Sequence, residues 1–142
     1  TLRSVIPTII SQALWCDRVT LGSLFPTRDF TYVADTVRAF TMAAAASIAP
    51  GEVVQVGSGK EISIGELARM IISICGRDLP MESEQERVRP DASEVSRLLA
   101  DVSRIRETLG WQVKIDLNEG LTRTINWFKK RKHLFKPEQY HV

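Results

Sequence analysis

Gly57-Ser58-Gly59 follows an apolar stretch and precedes a capped helix, a setting in which backbone N–H groups at a helix start hold phosphate. The spacing withholds that chemistry. The third glycine position of a GxGxxG fingerprint is Ile62, the helix cap arrives only at Ser63, and Glu61 would repel a pyrophosphate. A tight turn between strand and helix is the expectation. Asp29 and Asp35 have the right type for paired-carboxylate chemistry. Asp35 is better explained as a helix cap, and Asp29 as the acceptor of a neighbouring backbone N–H. The only histidines, His133 and His141, lie near the C-terminal end, which argues against a metal cluster or a Ser-His-Asp arrangement. The run Lys129-Lys130-Arg131-Lys132 has the charge to touch nucleic acid. A basic helix end interacting favourably with its own dipole is the preferred reading.

The elements that must position these residues follow from periodicity. Val5, Ile6, Ile9, Ile10, Ala13 and Leu14 recur at helical intervals, so residues 4–14 read as an amphipathic helix with Pro7 in its first turn. Residues 19–21 read as a short strand closed by Gly22, and a loop containing Pro26 delivers Arg28. After an extended stretch at 30–33, Asp35 is expected to cap a helix that buries Val37, Phe40, Ala44, Ala45 and Ile48. Pro50-Gly51 should stop it. Residues 53–56 read as a buried strand. Ser63 and Glu66 form a capping box before the stripe Leu67, Met70, Ile71 and Ile74, and Gly76 suits the C-terminal cap. The segment 81–89 alternates polar and charged residues as an edge strand would. Asp101 caps a helix carrying Ile105 and Leu109, closed by Gly110. Asp116 and Glu119 precede a last helix striped by Leu117, Leu121, Ile125 and Phe128.

The bulk numbers set bounds. At 142 residues the chain is one domain's worth and buries roughly two thirds of its unfolded surface. Its 44% hydrophobic and 25% charged content is that of an ordinary globular protein, and a net charge of +2 demands no polyanionic partner. Cys16 and Cys75 stand 59 residues apart without a CxxC spacing; a disulfide is the lesser alternative to two reduced, packed thiols in a cytosolic protein. With no apolar run long enough for a bilayer and no basic-then-apolar leader, a cytoplasmic protein is expected. The start at Thr1 suits a fragment as well as a complete chain.

The ordered series RDFTYVADTVRAF, VVQVGSGKEISIGELARMI and RVRPDASEVSRLLADVSRIRETLGW resembles the C-terminal half of the extended short-chain dehydrogenase/reductases. These are the NAD-dependent nucleotide-sugar epimerases and 4,6-dehydratases. The resemblance runs from about Val5 to Phe128. It implies a small mixed α/β domain of about five helices and short strands, spanning 1–128, with a basic, loosely held tail at 129–142. The catalytic half of that family has no counterpart here. No glycine fingerprint precedes the motifs, and no tyrosine is followed four residues later by lysine: Tyr32 is followed by Thr36, and Tyr140 lies at the end.

The resemblance also implies a site. Arginine's planar fork fits phosphate oxygens in pairs. In relatives the arginine of the RDF motif reaches the diphosphate, here Arg28. A second comes from the RP segment, matching Arg89, with Arg87 as a neighbour. Glu94 matches a glutamate that accepts from a ribose hydroxyl. Thr20 and Leu21 occupy the strand that flanks the base in UDP-sugar relatives. Gln55 stands where the pattern usually has asparagine, so any contact there must shift by about one carbon–carbon bond. No residue is assigned as catalytic, cofactor-binding or metal-binding.

Two functional readings follow. In one the chain is the nucleotide-sugar-binding portion of an NAD-dependent epimerase or dehydratase, taking a UDP-sugar and relying on a missing Rossmann half for NAD and turnover. In the other it is a self-associating interaction protein derived from that half. Its apolar helices, above all residues 34–48, suggest more contact surface than one small domain buries, and a symmetric dimer is the simplest cover.

Overall fold

The computed structural model describes residues 4–47, 51–84 and 95–134. In chain order the elements are α1 (Val5–Trp15), β1 (Val19–Leu21), β2 (Thr27–Arg28), α2 (Val33–Ala45), β3 (Ile62–Ser63), α3 (Ile64–Ile74), β4 (Met81–Ser83), β5 (Arg97–Leu98), α4 (Ser103–Leu109) and α5 (Leu117–Lys129). This is a small α/β protein of five helices and short strands, counted among the described residues. No helix among them is long and apolar enough to cross a membrane. The chain divides into two compact units. One comprises Thr1–Pro26, Ser63–Ser96 and Leu121–Val142, the other Thr27–Ile62 and Arg97–Gly120.

In the first unit α1 packs on α3 and on β1. Ile9, Ile10 and Ala13 of α1, Val19 and Leu21 of β1, and Leu67, Ala68 and Ile71 of α3 are buried. The Gln12 amide brackets β1, accepting from the Thr20 N–H at 2.6 Å and donating to the Thr20 carbonyl at 3.2 Å. At the same C-terminal end of α1, Arg77 donates to the carbonyls of Ala13 and Cys16 (3.3 and 2.8 Å), satisfying acceptors that a helix end leaves open. Cys16 and Cys75 are half-buried and not joined in a disulfide, and burial pushes the Cys75 thiol up. β1 pairs in parallel with β4, Val19 opposite Met81 and Leu21 opposite Ser83. The expected edge strand at 81–89 is therefore strand over Met81–Ser83, and residues 85–89 lie outside the described residues.

The capping box of α3 forms as its sequence predicts. The Ser63 hydroxyl accepts from the Glu66 N–H, and the Glu66 carboxylate accepts from the Ser63 N–H at 3.0 Å. Gly76 closes the helix at φ +72°, the left-handed region that glycine enters without a Cβ clash. The buried stripe is rotated from expectation. Ile64, Leu67, Ala68, Ile71 and Ile72 are buried, while Met70 and Ile74 are only half-buried. Ser63→Ala should cost about 1 kcal/mol in a urea titration, the usual worth of an N-cap. A loss below a few tenths would mean the box contributes nothing. In α5, Glu119 donates its N–H to Asp116 Oδ1 (2.8 Å), and Leu121, Ile125 and Phe128 are buried as their spacing predicts. The helix ends at Lys129 and a 3-10 turn follows at Lys132–Leu134.

In the second unit β2 and β5 pair in parallel, Thr27 opposite Arg97 and Arg28 opposite Leu98. Neither two-residue strand is legible in the sequence. The apolar core is Ala39, Val102, Ile105 and Trp111, with Met42, Val54, Val56, Leu109 and Val113 packed against it. Gly110 closes α4 at φ +61°, as expected; Val102 rather than Asp101 holds the cap position, and the Asp101 carboxylate accepts from the Ser103 N–H at 3.0 Å.

Two expectations for this unit are corrected. α2 turns the predicted buried face outward: Val37 is 54% and Phe40 71% exposed, Ala44 and Ala45 are exposed, and Asp35 and Ala39 are buried instead. Ile48 lies outside the described residues. The reason is Asp35 itself, whose carboxylate is drawn inward by donors described below, so that its turn of helix faces the core. Residues 53–56 form no strand; Val54 and Val56 pack against the core and Val53 is exposed.

Candidate functional site

Arg28 sits half-buried on β2 and donates from Nη1 to the Thr27 carbonyl at 2.8 Å. Both of its chain neighbours are tied to the turn at 57–61. Asp29 accepts at one carboxylate oxygen from the Ser58 N–H (2.8 Å) and hydroxyl (2.5 Å), and at the other from the Gly59 N–H (2.9 Å). Its own N–H donates to the Leu98 carbonyl at 2.9 Å. The Thr27 hydroxyl donates to Glu61 Oε2 at 2.8 Å, and Arg97 Nε donates to the same oxygen at 2.8 Å. The Arg97 contact, and then that of Thr27, hold the Glu61 carboxyl below the usual glutamate range.

This geometry corrects the expectation for Asp29: its donors are not neighbours in the chain but stand 29 and 30 residues away. It also answers the phosphate-loop question. The N–H groups of Ser58 and Gly59 are taken up by a carboxylate, so this turn does not fit a dinucleotide pyrophosphate. Gly59 adopts φ +72°.

The second polar centre of this unit is Asp35, which is not the helix cap expected of it. α2 begins at Val33, with Tyr32 at the cap position, and Asp35 lies inside the first turn, 1% exposed. Its carboxylate accepts from Arg38 Nη2 (2.7 Å) and from the N–H groups of Lys114 (3.1 Å) and Ile115 (2.9 Å). Its carbonyl accepts from Trp111 Nε1 at 3.1 Å. Arg38 reaches on to the Gln112 carbonyl, and its guanidinium lies 5.4 Å from the centre of the Trp111 ring. Burial, the largest single influence, pushes the Asp35 pKa up. The Arg38 hydrogen bond and charge and the two backbone donors outweigh it, so the carboxyl rests below the ordinary aspartate value. With its carboxylate on the Lys114 and Ile115 N–H groups and its carbonyl on Trp111 Nε1, Asp35 anchors the segment 111–115.

Residues 2–124 match the family model described as GDP-mannose 4,6 dehydratase. The chain belongs to this family of extended short-chain dehydrogenase/reductases. A putative UDP-glucose 4-epimerase of Methanocaldococcus jannaschii is 38% identical over 103 residues, covering 72% of this chain and 31% of that protein. Among solved structures, an epimerase from Methanothermobacter thermautotrophicus superposes with a TM-score of 0.84 at 29% identity, over 94% of this chain and 39% of its own. The enzyme WbmF of Bordetella bronchiseptica, solved with NAD+ and UDP, superposes with a TM-score of 0.74 at 32% identity, over 93% of this chain and 38% of its own. The chain thus spans about a third of the length of its curated relatives.

Within the family frame, the residues named from sequence fall in three places. Arg28 and Gln55 belong to the second unit; Gln55 is exposed and its Oε1 accepts from the Asp101 N–H at 3.0 Å, a structural use for the longer amide. Thr20 and Leu21 are in β1 of the first unit, where Leu21 is buried and Thr20, on the opposite face, is half-buried. Arg87, Arg89 and Glu94 lie outside the described residues. Sequence reasoning missed the Thr27–Glu61–Arg97 network, because long-range pairing of exposed charges leaves no periodic signal.

Proposed function

We propose that this chain is the nucleotide-diphosphate-sugar-binding portion of an NAD-dependent sugar epimerase or 4,6-dehydratase. The observation that carries the reading is Arg28: a guanidinium on a strand whose two flanking residues are fixed by side-chain hydrogen bonds, in a family with a relative solved in complex with UDP. Arg28 would grip the diphosphate with Arg89 and Arg87. Glu94 would accept from the ribose, Thr20 and Leu21 would flank a pyrimidine, and Gln55 stands at the rim. UDP-sugars are the substrate class favoured. Such contacts supply binding energy remote from the reacting carbon and so orient the sugar ring.

The chemistry itself needs NAD and a Tyr–Lys pair. Neither a dinucleotide fingerprint nor YxxxK occurs in the 142 residues, and no reaction step is assigned to them. On this reading the isolated chain binds at most weakly and does not turn over.

In a thermal melt, UDP should raise the melting temperature of the chain by several degrees at a hundredfold excess over Kd, where mass action adds about 2.7 kcal/mol. Arg28→Ala should weaken binding by roughly 30- to 100-fold, the worth of a charge-assisted contact. An unchanged response in the variant, or none in the parent chain, would remove the assignment.

One observation favours the second reading, a self-associating protein. Val33, Val37 and Phe40 expose an apolar stripe along α2. A second copy of this chain or an NAD-binding half would cover it. Light scattering at tens of micromolar decides between copies: a monodisperse monomer counts against a homodimer.

A further inference from the structure

In an extended run alternate side chains leave on opposite faces. Thr27 and Asp29 both reach the turn at 57–61, the first through Glu61 and the second through Ser58 and Gly59, so Arg28 between them departs from the other face. β2 is only two residues long, and its ladder with β5 covers just Thr27 and Arg28. Side chains around it add to that order. Two side-chain ties reach one turn, the Arg97 guanidinium locks Glu61, and the Asp29 N–H donates to the Leu98 carbonyl. Gly57 shows how closely the turn approaches. A Cβ there would stand 2.3 Å from the Ala100 Cβ and 2.7 Å from Asp29 Oδ2, so any side chain at 57 pushes the turn off the carboxylate.

We propose that the turn 57–61 is a clamp that presents Arg28, with Asp29 as its positioning residue. This rests on the reading of Arg28 as a diphosphate-binding group and extends it. The glycine-rich turn serves anion recognition at one remove, by fixing the backbone from which a guanidinium is offered. A pre-ordered arginine loses less freedom on binding, so its affinity depends on a residue that never meets the ligand.

The test uses the 142-residue chain with Asp29→Ala and Asp29→Asn. Its first measurement needs no ligand: 15N relaxation of the Arg28 backbone N–H and side-chain Nε–H. The clamp requires both to lose order in Asp29→Ala while the fold, followed by far-UV circular dichroism, persists. The second is the UDP dissociation constant at a temperature where both proteins are fully folded. About a tenfold weakening is expected, the upper end of what ordering one long side chain costs. Asp29→Asn, which keeps one acceptor oxygen, should fall between.

A purely structural Asp29 would lower the melting temperature yet leave Arg28 ordered and the dissociation constant unchanged, and that result overturns the clamp. If the parent chain does not bind UDP, the assignment of Arg28 fails, and the relaxation measurement still decides whether Asp29 orders it. Should Asp29→Ala not fold, Ser58→Ala removes the hydroxyl contact and leaves both N–H donors. It should loosen Arg28 and weaken UDP two- to threefold by the same argument, and no change in either would sink the proposal.

Discussion

Asp35→Ala should destabilise the chain by about 3–5 kcal/mol, because it strips the counter-charge and acceptor from a set of donors already committed to it. Arg38 Nη2 and the N–H groups of Lys114 and Ile115 would lose their acceptor together. Asp35→Asn keeps one carbonyl oxygen but turns an NH2 toward donors, so roughly half that loss is expected. The pH dependence has a definite sign. The folded carboxyl sits below the ordinary aspartate value, so the stability it contributes is fully present above that value and is lost as pH falls through the folded one. Urea midpoints for the parent chain and Asp35→Asn should therefore converge as the solution is taken from neutral pH to below about 3.9. A gap that stayed constant over that range would mean the charge of Asp35 does not contribute.

Trp111→Ala should cost a further 3–5 kcal/mol or so, the range for emptying a large buried aromatic site. Trp111 is 1% exposed and is the bulkiest side chain of the cluster with Ala39, Val102 and Ile105. Its loss strands the Asp35 carbonyl as well, since Nε1 is the donor there. Trp111→Phe separates the two effects. It retains most of the apolar contact and removes the hydrogen bond, for an expected loss of about 1–2 kcal/mol. Because Arg38 touches both Asp35 and the Trp111 ring, the double variant Trp111→Phe/Asp35→Asn should depart from additivity by at least 0.5 kcal/mol or so in equilibrium unfolding followed by circular dichroism. Additive losses would show that the two residues act separately.

Aspartates divide cleanly by what can be read from sequence. Asp101 and Asp116 each accept from an N–H two or three residues ahead, and both were placed at helix starts by spacing alone. Asp29 accepts from donors 29 and 30 residues away, and Asp35, besides Arg38 three residues on, from donors 79 and 80 residues away; local reasoning assigns both of them wrongly. The same divide runs through the helices. The box Ser63/Glu66, the glycine caps at 76 and 110, and the stripe Leu121, Ile125 and Phe128 depend on contacts within a turn or two. α2 offers two plausible faces, one apolar and one carrying Asp35. Only the distant segment 111–115, which brings donors and Trp111 to the polar one, decides between them.

The clamp at Arg28 belongs to the second class. GSG reads as a turn, yet what the turn holds is set by a parallel pair of two-residue strands that no periodicity announces. Sequence alone determined the family, most helix boundaries and the candidacy of Arg28. Those depend on motif identity and on bonds between near neighbours, which one stretch of chain carries by itself. Only the tertiary structure decided which face of α2 is buried, what the two aspartates hold, and how residues 27–29 are gripped. Such choices are settled by which remote donors arrive, and the free energy of a buried or shared hydrogen bond exists only once both partners are in place.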